Sequence, residues 1–295
     1  MDLEGTSGSF ISIADDILDN YGPEEEDFDR IMELIDQLPA EEVETFREAM
    51  QPILHPGTII GFSFTKPFGY NGDFFIIEKI YQRYVTDDPR FKKWDEFFHR
   101  LPAAIAVVNR KDLAIKILKE LQEEARGKKK HVLILGSGPV TEVNEYLNDT
   151  PGNTLQFDLI DLDQRAIDYA RQKNKAFQDC LNFANKNVIR FTPDKKYDLI
   201  WSAGLFDYFK DKHFVFLLKK YYEHIAPGGE MVIGNFNIKN PSKKIMEVLG
   251  DWFLYHRSEE ELQQFATRAG IDAVLADVIS EPLGINLFLK VRKPV

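Results

Sequence analysis

From His131 to the C-terminus the chain alternates short apolar runs with amphipathic segments, and this alternation restricts the fold more than any other feature. The runs are Val132–Leu135, Leu155–Ile160, Val188–Phe191, Leu199–Trp201 and Glu230–Asn235, with helical patterns between them at 140–148, 163–184 and 211–225. Strands that are apolar throughout and joined through helices belong to a parallel sheet covered on both faces. Ala226-Pro227-Gly228-Gly229 stops the third of these helices. Further helices are predicted near Ser242–Trp252 and Ser258–Ala269, followed by strands Ala273–Ile279 and Ile285–Val291, whose short connection makes them antiparallel neighbours.

The first run leads into Gly136-Ser137-Gly138-Pro139, a turn that opens a helix. Two glycines let the backbone bend sharply and let a ligand approach peptide N–H groups, and Pro139 suits a first helical turn. The second run ends in Asp161, about 25 residues beyond the turn, where a doubly wound sheet places an acid that accepts hydrogen bonds from ribose hydroxyls, with Leu162 beside it. Asp163 is better placed to cap the next helix. A dinucleotide fingerprint wants a third glycine where Thr141 stands, which weakens the case for NAD. S-adenosylmethionine carries no phosphate, and its methionine end needs backbone groups and a polar shell that the turn, Ser137 and Glu142 can supply.

The first half of the chain reads as helical. Phe28, Ile31, Met32, Ile35 and Leu38 make one apolar face; further helices are predicted at Glu41–Gln51, Phe74–Tyr84 and Pro89–His99, with a long one from Pro102 or Ala103 to Ala125. Residues 1–22 read as a loose leader, and His55–Gly72 as an aromatic connection holding Gly69-Tyr70-Asn71-Gly72-Asp73. Residues 1–128 are therefore expected to form an acidic leader and helical cap, and 129–295 a cofactor-binding domain. The net charge of −11 is uneven: residues 1–50 carry 16 acidic and 2 basic side chains, against 32 and 35 in the rest. Without a basic field, nucleic acid is not an expected partner. The single cysteine, Cys180, suits a reducing compartment, and no metal site is expected. No apolar run approaches the ~20 residues of a membrane span, so the cytoplasm is the expected location.

Beyond these readings, residues 130–292 resemble class I S-adenosylmethionine-dependent methyltransferases in the glycine turn, in Asp161, in Lys196-Tyr197-Asp198-Leu199-Ile200-Trp201-Ser202 and in the segment 218–229 ending in Ala-Pro-Gly-Gly. The sequence departs from that pattern where a third glycine is usual, at Val140, and where an acid is common, at Ile134. A narrower resemblance covers the chain after residue 65. Gly69-Tyr70-x-Gly72-Asp73, Gly136-x-Gly138-Pro139-x-x-Glu142, Gly204-Leu-Phe-Asp-Tyr208, Gly234-Asn-Phe236, Asn240-Pro-Ser242, Asp251-Trp252 and Gly284-Ile-Asn-Leu-Phe288 resemble the bacterial extracellular-factor 3-hydroxypalmitic acid methyl ester biosynthesis family. The resemblance implies an α/β, Rossmann-like seven-stranded sheet with an antiparallel last strand, an N-terminal helical cap and S-adenosylmethionine as methyl donor. It also implies carboxyl O-methylation of a hydroxy fatty acid or similar small molecule. A homodimer is compatible with the chain.

Methyl transfer from a sulfonium is an in-line displacement, so orientation in a dry site does most of the work. A fatty-acid carboxylate is already ionised at neutral pH, whereas an amine or phenol needs a base. Acceptor-side groups are expected at the carboxyl ends of the strands: Asp207 and Tyr208 after the fourth, Asn235, Phe236 and Asn240 after the fifth. Phe206, Tyr208 and Phe209 also fit plain packing, and Asn235 a turn. Gly204 is expected beside the cofactor, Tyr70 and Asp73 over it as a lid, and His99 near the acceptor; Asp73 also fits a helix cap. Arg100 or Arg110 could pair with an acceptor carboxylate, and Phe91, Trp94, Phe97 and Phe98 could line an acyl pocket or simply pack. The alternatives are methylation of another metabolite, with His99, Asp207 or Tyr208 as base, and a non-catalytic S-adenosylmethionine-binding module.

Overall fold

The computed structural model describes residues 14, 15 and 17–295, so most of the leader read from the sequence lies outside the described residues. The chain divides into two compact units, one running to Ile105 and including Pro241–Phe253, the other formed by Ala106–Asn240 and Leu254–Val295. In the first unit, helices Asp27–Gln37, Val43–Ala49, Phe74–Tyr81 and Lys92–Arg100 follow the apolar spacing. A further helix, Ile59–Thr65, sits inside the aromatic connection, where Gly and Pro conceal it; Thr58 caps it by accepting from Gly61 N–H at 2.9 Å. Buried Asp95 ties this unit together by accepting from Ile59 N–H at 2.8 Å and Thr86 N–H at 2.9 Å. The late segment 241–253 is held here by Arg47, which donates to the carbonyls of Val248 and Glu247, and by Ser63, which donates to Gly250. Trp94, Phe97 and Phe98 are buried in this unit as packing.

The second unit carries a seven-stranded sheet in the order β3-β2-β1-β4-β5-β7-β6. The strands are β1 Lys130–Leu135, β2 Leu155–Asp161, β3 Leu181–Asn185, β4 Tyr197–Ser202, β5 Ile225–Phe236, β6 Ala276–Ser280 and β7 Asn286–Arg292. The first five are parallel, and β7 lies antiparallel between β5 and β6. Alternation along each strand separates two cores: Leu133, Leu135, Ile200, Met231, Ile233, Leu287 and Leu289 on one face, Val132, Ile134, Trp201, Val232 and Phe288 on the other. Trp201 stacks on Phe288 with ring centroids 5.2 Å apart.

The third strand is not where the apolar run placed it. Val188–Phe191 forms a turn organised by Asn187, whose side chain accepts from Ile189 N–H and whose carbonyl accepts from Arg190 and Phe191 N–H. The edge strand is instead Leu181–Asn185, which among the described strands pairs with β2 alone and has a mixed burial pattern, so its apolar signal is weak. The long helix expected over 163–184 also ends early, at Lys173. Buried Asn174 stops it by turning its amide onto the Ala170 carbonyl at 2.8 Å and accepting from Asn144 at 3.0 Å.

Candidate active site

The site is built first from the turn after β1. Gly136 and Gly138 take φ of +66° and +53°, values that a side chain strains against. At Gly136 a Cβ would also lie 2.9 Å from the Leu205 Cβ, so two constraints demand glycine there. Around Gly138 a Cβ would meet no atom within 4 Å, which leaves its backbone open to a ligand. Val140, standing where a third glycine is usual, nevertheless takes φ +57°, an uncommon conformation for a β-branched residue. It is fully buried, and its N–H donates to Ser137 O at 3.2 Å, so packing holds the strain. Thr141–Asp149 follows as a helix, with Lys173 donating to the Thr141 hydroxyl at 2.8 Å.

Asp161 ends β2 beside this turn. One carboxylate oxygen accepts from Gly138 N–H at 2.8 Å and the other from Asp163 N–H at 2.9 Å. An ionised carboxylate offers about four lone-pair directions, so each oxygen keeps capacity for a ribose hydroxyl. Burial pushes this carboxyl above its ordinary range, opposed by the two backbone N–H groups. Leu162, next in sequence, is 66% exposed, and Asp163 caps the following helix by accepting from Arg165 N–H at 2.9 Å. Glu142 is buried on the first turn of its helix, and burial raises its carboxyl to about 7 against the opposing charges of Arg110 and Lys173.

After β4, Gly204 leads into the short turn Leu205–Tyr208. Asp207 is buried there; its carboxylate accepts from Phe236 N–H at 2.7 Å and its carbonyl from Tyr255 N–H at 2.8 Å. Burial raises Asp207 to about 7, opposed by the Phe236 N–H and by Arg110 and Arg257. Asn235, fully buried, donates to the carbonyls of Phe236 and Tyr255 and accepts from Arg257 at 2.6 Å. Arg257, itself 2% exposed, also donates to the Phe209 carbonyl and to Asp211, closing a network the sequence did not single out. Its only sequence signal was its place one residue before the helix cap Ser258. Tyr208 is 37% exposed, and Asn240 is buried.

The fold thus brings Gly136, Ser137, Gly138, Pro139, Glu142, Asp161, Leu162, Gly204, Asp207, Tyr208 and Asn235 into one unit, at the carboxyl ends of its parallel strands. Tyr70, Asp73 and His99 belong to the other unit. There Asp73 caps Phe74–Tyr81 by accepting from Phe75 and Ile76 N–H at 2.8 and 3.0 Å. Tyr70 is 38% exposed. His99 lies with Nε2 2.7 Å from the Tyr84 carbonyl, so that nitrogen carries the proton; burial holds the ring below its ordinary range. Arg100 is exposed and lies over the Phe28 ring, 4.8 Å from its centroid.

Residues 133–231 match the family described as methyltransferase domain. Among solved structures, a "possible exported protein" of Bordetella parapertussis aligns at 17% identity and TM-score 0.61 over 76% of this chain and 80% of its own. Magnesium protoporphyrin IX methyltransferase from Synechocystis PCC 6803 aligns at 10% identity and TM-score 0.50 over 64% of this chain and 84% of its own. The CurJ carbon methyltransferase aligns at 13% and 0.51, over 70% and 60%. A comparison with curated proteins gave no match. These structural likenesses show the fold. The methyltransferase-domain match, the sheet order and the glycine turn with Asp161 together define an S-adenosylmethionine-dependent methyltransferase. S-adenosylmethionine is the cofactor expected of it, and the open Gly138 backbone and the remaining capacity of Asp161 fit its nucleoside. No helix among the described residues is long and apolar enough to cross a membrane.

Proposed function

We propose that the enzyme transfers a methyl group to the carboxylate of a hydroxy fatty acid or similar small acid. The observation that carries this reading is how firmly the acceptor-side polar groups are engaged inside the fold. Asn235 holds Arg257 and two carbonyls, and Asp207 holds the Phe236 N–H with its carboxyl raised to about 7. Asp207 is buried with its carboxylate already accepting the Phe236 N–H at 2.7 Å, so the fold uses it to hold the loop rather than leaving it free to strip a proton from an amine or phenol. A carboxylate acceptor needs no such step. Tyr208, Ile238, Tyr255 and Leu283 add exposed apolar surface from the segments after β4 and β5 and before β7, which suits an acyl chain. The cytoplasm is the compartment we assign, in keeping with the unpaired Cys180.

Under this reading the chain's own residues bind and orient. Asp161 and the Gly138 backbone hold the nucleoside, Ser137 and Glu142 surround the methionine end, and the turn 205–208 presents the acceptor. S-adenosylmethionine supplies the electrophilic methyl group. Incubation of the purified protein with labelled donor and a panel of hydroxy fatty acids, amines and phenols tests it. Labelled methyl esters are expected; transfer to amines alone would overturn the ester reading.

A further inference from the structure

Arg110 lies on the helix Pro102–Ala125 and is only 5% exposed, yet its Nε–H finds no hydrogen-bond partner. Its guanidinium is pressed against the backbone after β4: a Cβ on Gly204 would lie 2.8 Å from Nη1. Leu205, the next residue, is the one that Gly136 must avoid, so the guanidinium, the turn after β4 and the glycine turn share one neighbourhood. The hydroxyl of Ser137, in that glycine turn, is likewise buried without a partner. Two carboxyls, Glu142 and Asp207, feel the charge of Arg110. Burial favours the neutral form of both and so weakens them as counter-ions. A buried guanidinium with an unmet N–H is costly until an anion meets it, and its planar fork matches a carboxylate.

We propose that Arg110 is a carboxylate-binding residue of this site and takes the carboxylate at the amino-acid end of the methyl donor, an assignment that rests on the S-adenosylmethionine reading. A carboxylate could also come from the acceptor, but the closeness of the Gly204–Leu205 strip to the glycine turn favours the donor.

Calorimetry on the full chain separates the sources with three ligands. S-adenosylhomocysteine carries the amino-acid end, 5′-methylthioadenosine keeps the nucleoside and sulfur without it, and 3-hydroxyhexadecanoate is titrated into protein saturated with S-adenosylhomocysteine. Arg110→Gln is expected to weaken S-adenosylhomocysteine by roughly 10–100-fold, the scale of a charged hydrogen bond, and to leave methylthioadenosine unchanged. Arg110→Lys should recover part of the loss. Gly204→Ala, which displaces the guanidinium while keeping it, should weaken S-adenosylhomocysteine in the same selective way and to a smaller extent; these two variants decide the matter if Arg110→Gln does not fold. Loss confined to the hydroxy acid would overturn the donor assignment, and equal loss of both nucleosides, or none, would overturn the carboxylate role. Failure of the unaltered protein to bind S-adenosylhomocysteine would sink the cofactor reading itself, a distinguishable result.

Discussion

The two ends of the second unit's site are made differently. The glycine turn after β1 is built from backbone: two positive-φ glycines, peptide N–H groups and one carboxylate, Asp161, that bonds to them. The turn after β4 is built from buried side chains, with Asp207, Asn235 and Arg257 joined through carbonyls and one another. Under the proposed function the backbone cradle meets the donor, the partner common to every turnover. The side-chain network holds one loop shape, and it carries its cost as buried polar groups that must be paired.

That contrast breaks most visibly at Arg257. Arg257→Met leaves the Asn235 oxygen and the Phe209 carbonyl unmet and should cost about 3–5 kcal/mol of stability, the scale for breaking a buried charged network; denaturant unfolding measures it, and a loss below ~1 kcal/mol would show the network to be dispensable. The raised carboxyls give a pH signature. The unfolded chain releases the Asp207 proton near pH 4 and the folded one near 7, so the folded state binds more protons in between. Its contribution to stability is therefore greatest below pH 4, falls as pH rises to 7 and is level above. Asp207→Asn, which can still accept from Phe236 N–H, should remove a pH-dependent span of on the order of 4 kcal/mol; an unchanged pH profile of the melting temperature would contradict the burial assigned to this group.

At the glycine turn the effects should be smaller in stability and larger in binding. Gly136→Ala forces a side chain into φ +66° and against Leu205, costing roughly 1–2 kcal/mol, and S-adenosylhomocysteine affinity should fall more than the melting temperature suggests. Smallest is Asp163→Ala, which removes a helix cap for about 1 kcal/mol. It should leave donor affinity nearly intact; a large loss would move Asp163 from the helix into the site.

The glycine turn, Asp161 and the Asp163 cap were legible because each is a local rule: a bend that wants glycine, an acid at a strand end, an acid before a helix. The antiparallel final pair was legible for a similar reason, since a short connection between β6 and β7 leaves no room for a crossover. The third strand was misplaced because β3 lies at the sheet edge, where one neighbour requires little apolar character, while Asn187 bends a more apolar stretch away. The helix Ile59–Thr65 was hidden by residues whose turn preference the packing overrides, with Asp95 reaching from 36 positions away to bond its first N–H. Arg257's role in the network was not legible because Asn235, Asp211 and the Phe209 carbonyl lie 22 to 48 positions upstream in the chain.

What could be read from residue order was what short-range geometry dictates: the alternating grammar of the sheet and its helices, the class of cofactor, and the glycine turn with the acid that bonds to it. Folding alone decided that Asp207 and Asn235 are held inside a network, that Arg110 lies against Gly204, and that residues 241–253 join the first unit. The reason is the range of the forces. Turn and helix preferences act over a few residues and are written locally, whereas the pairing of buried charges depends on which distant segments share the same small volume of low dielectric.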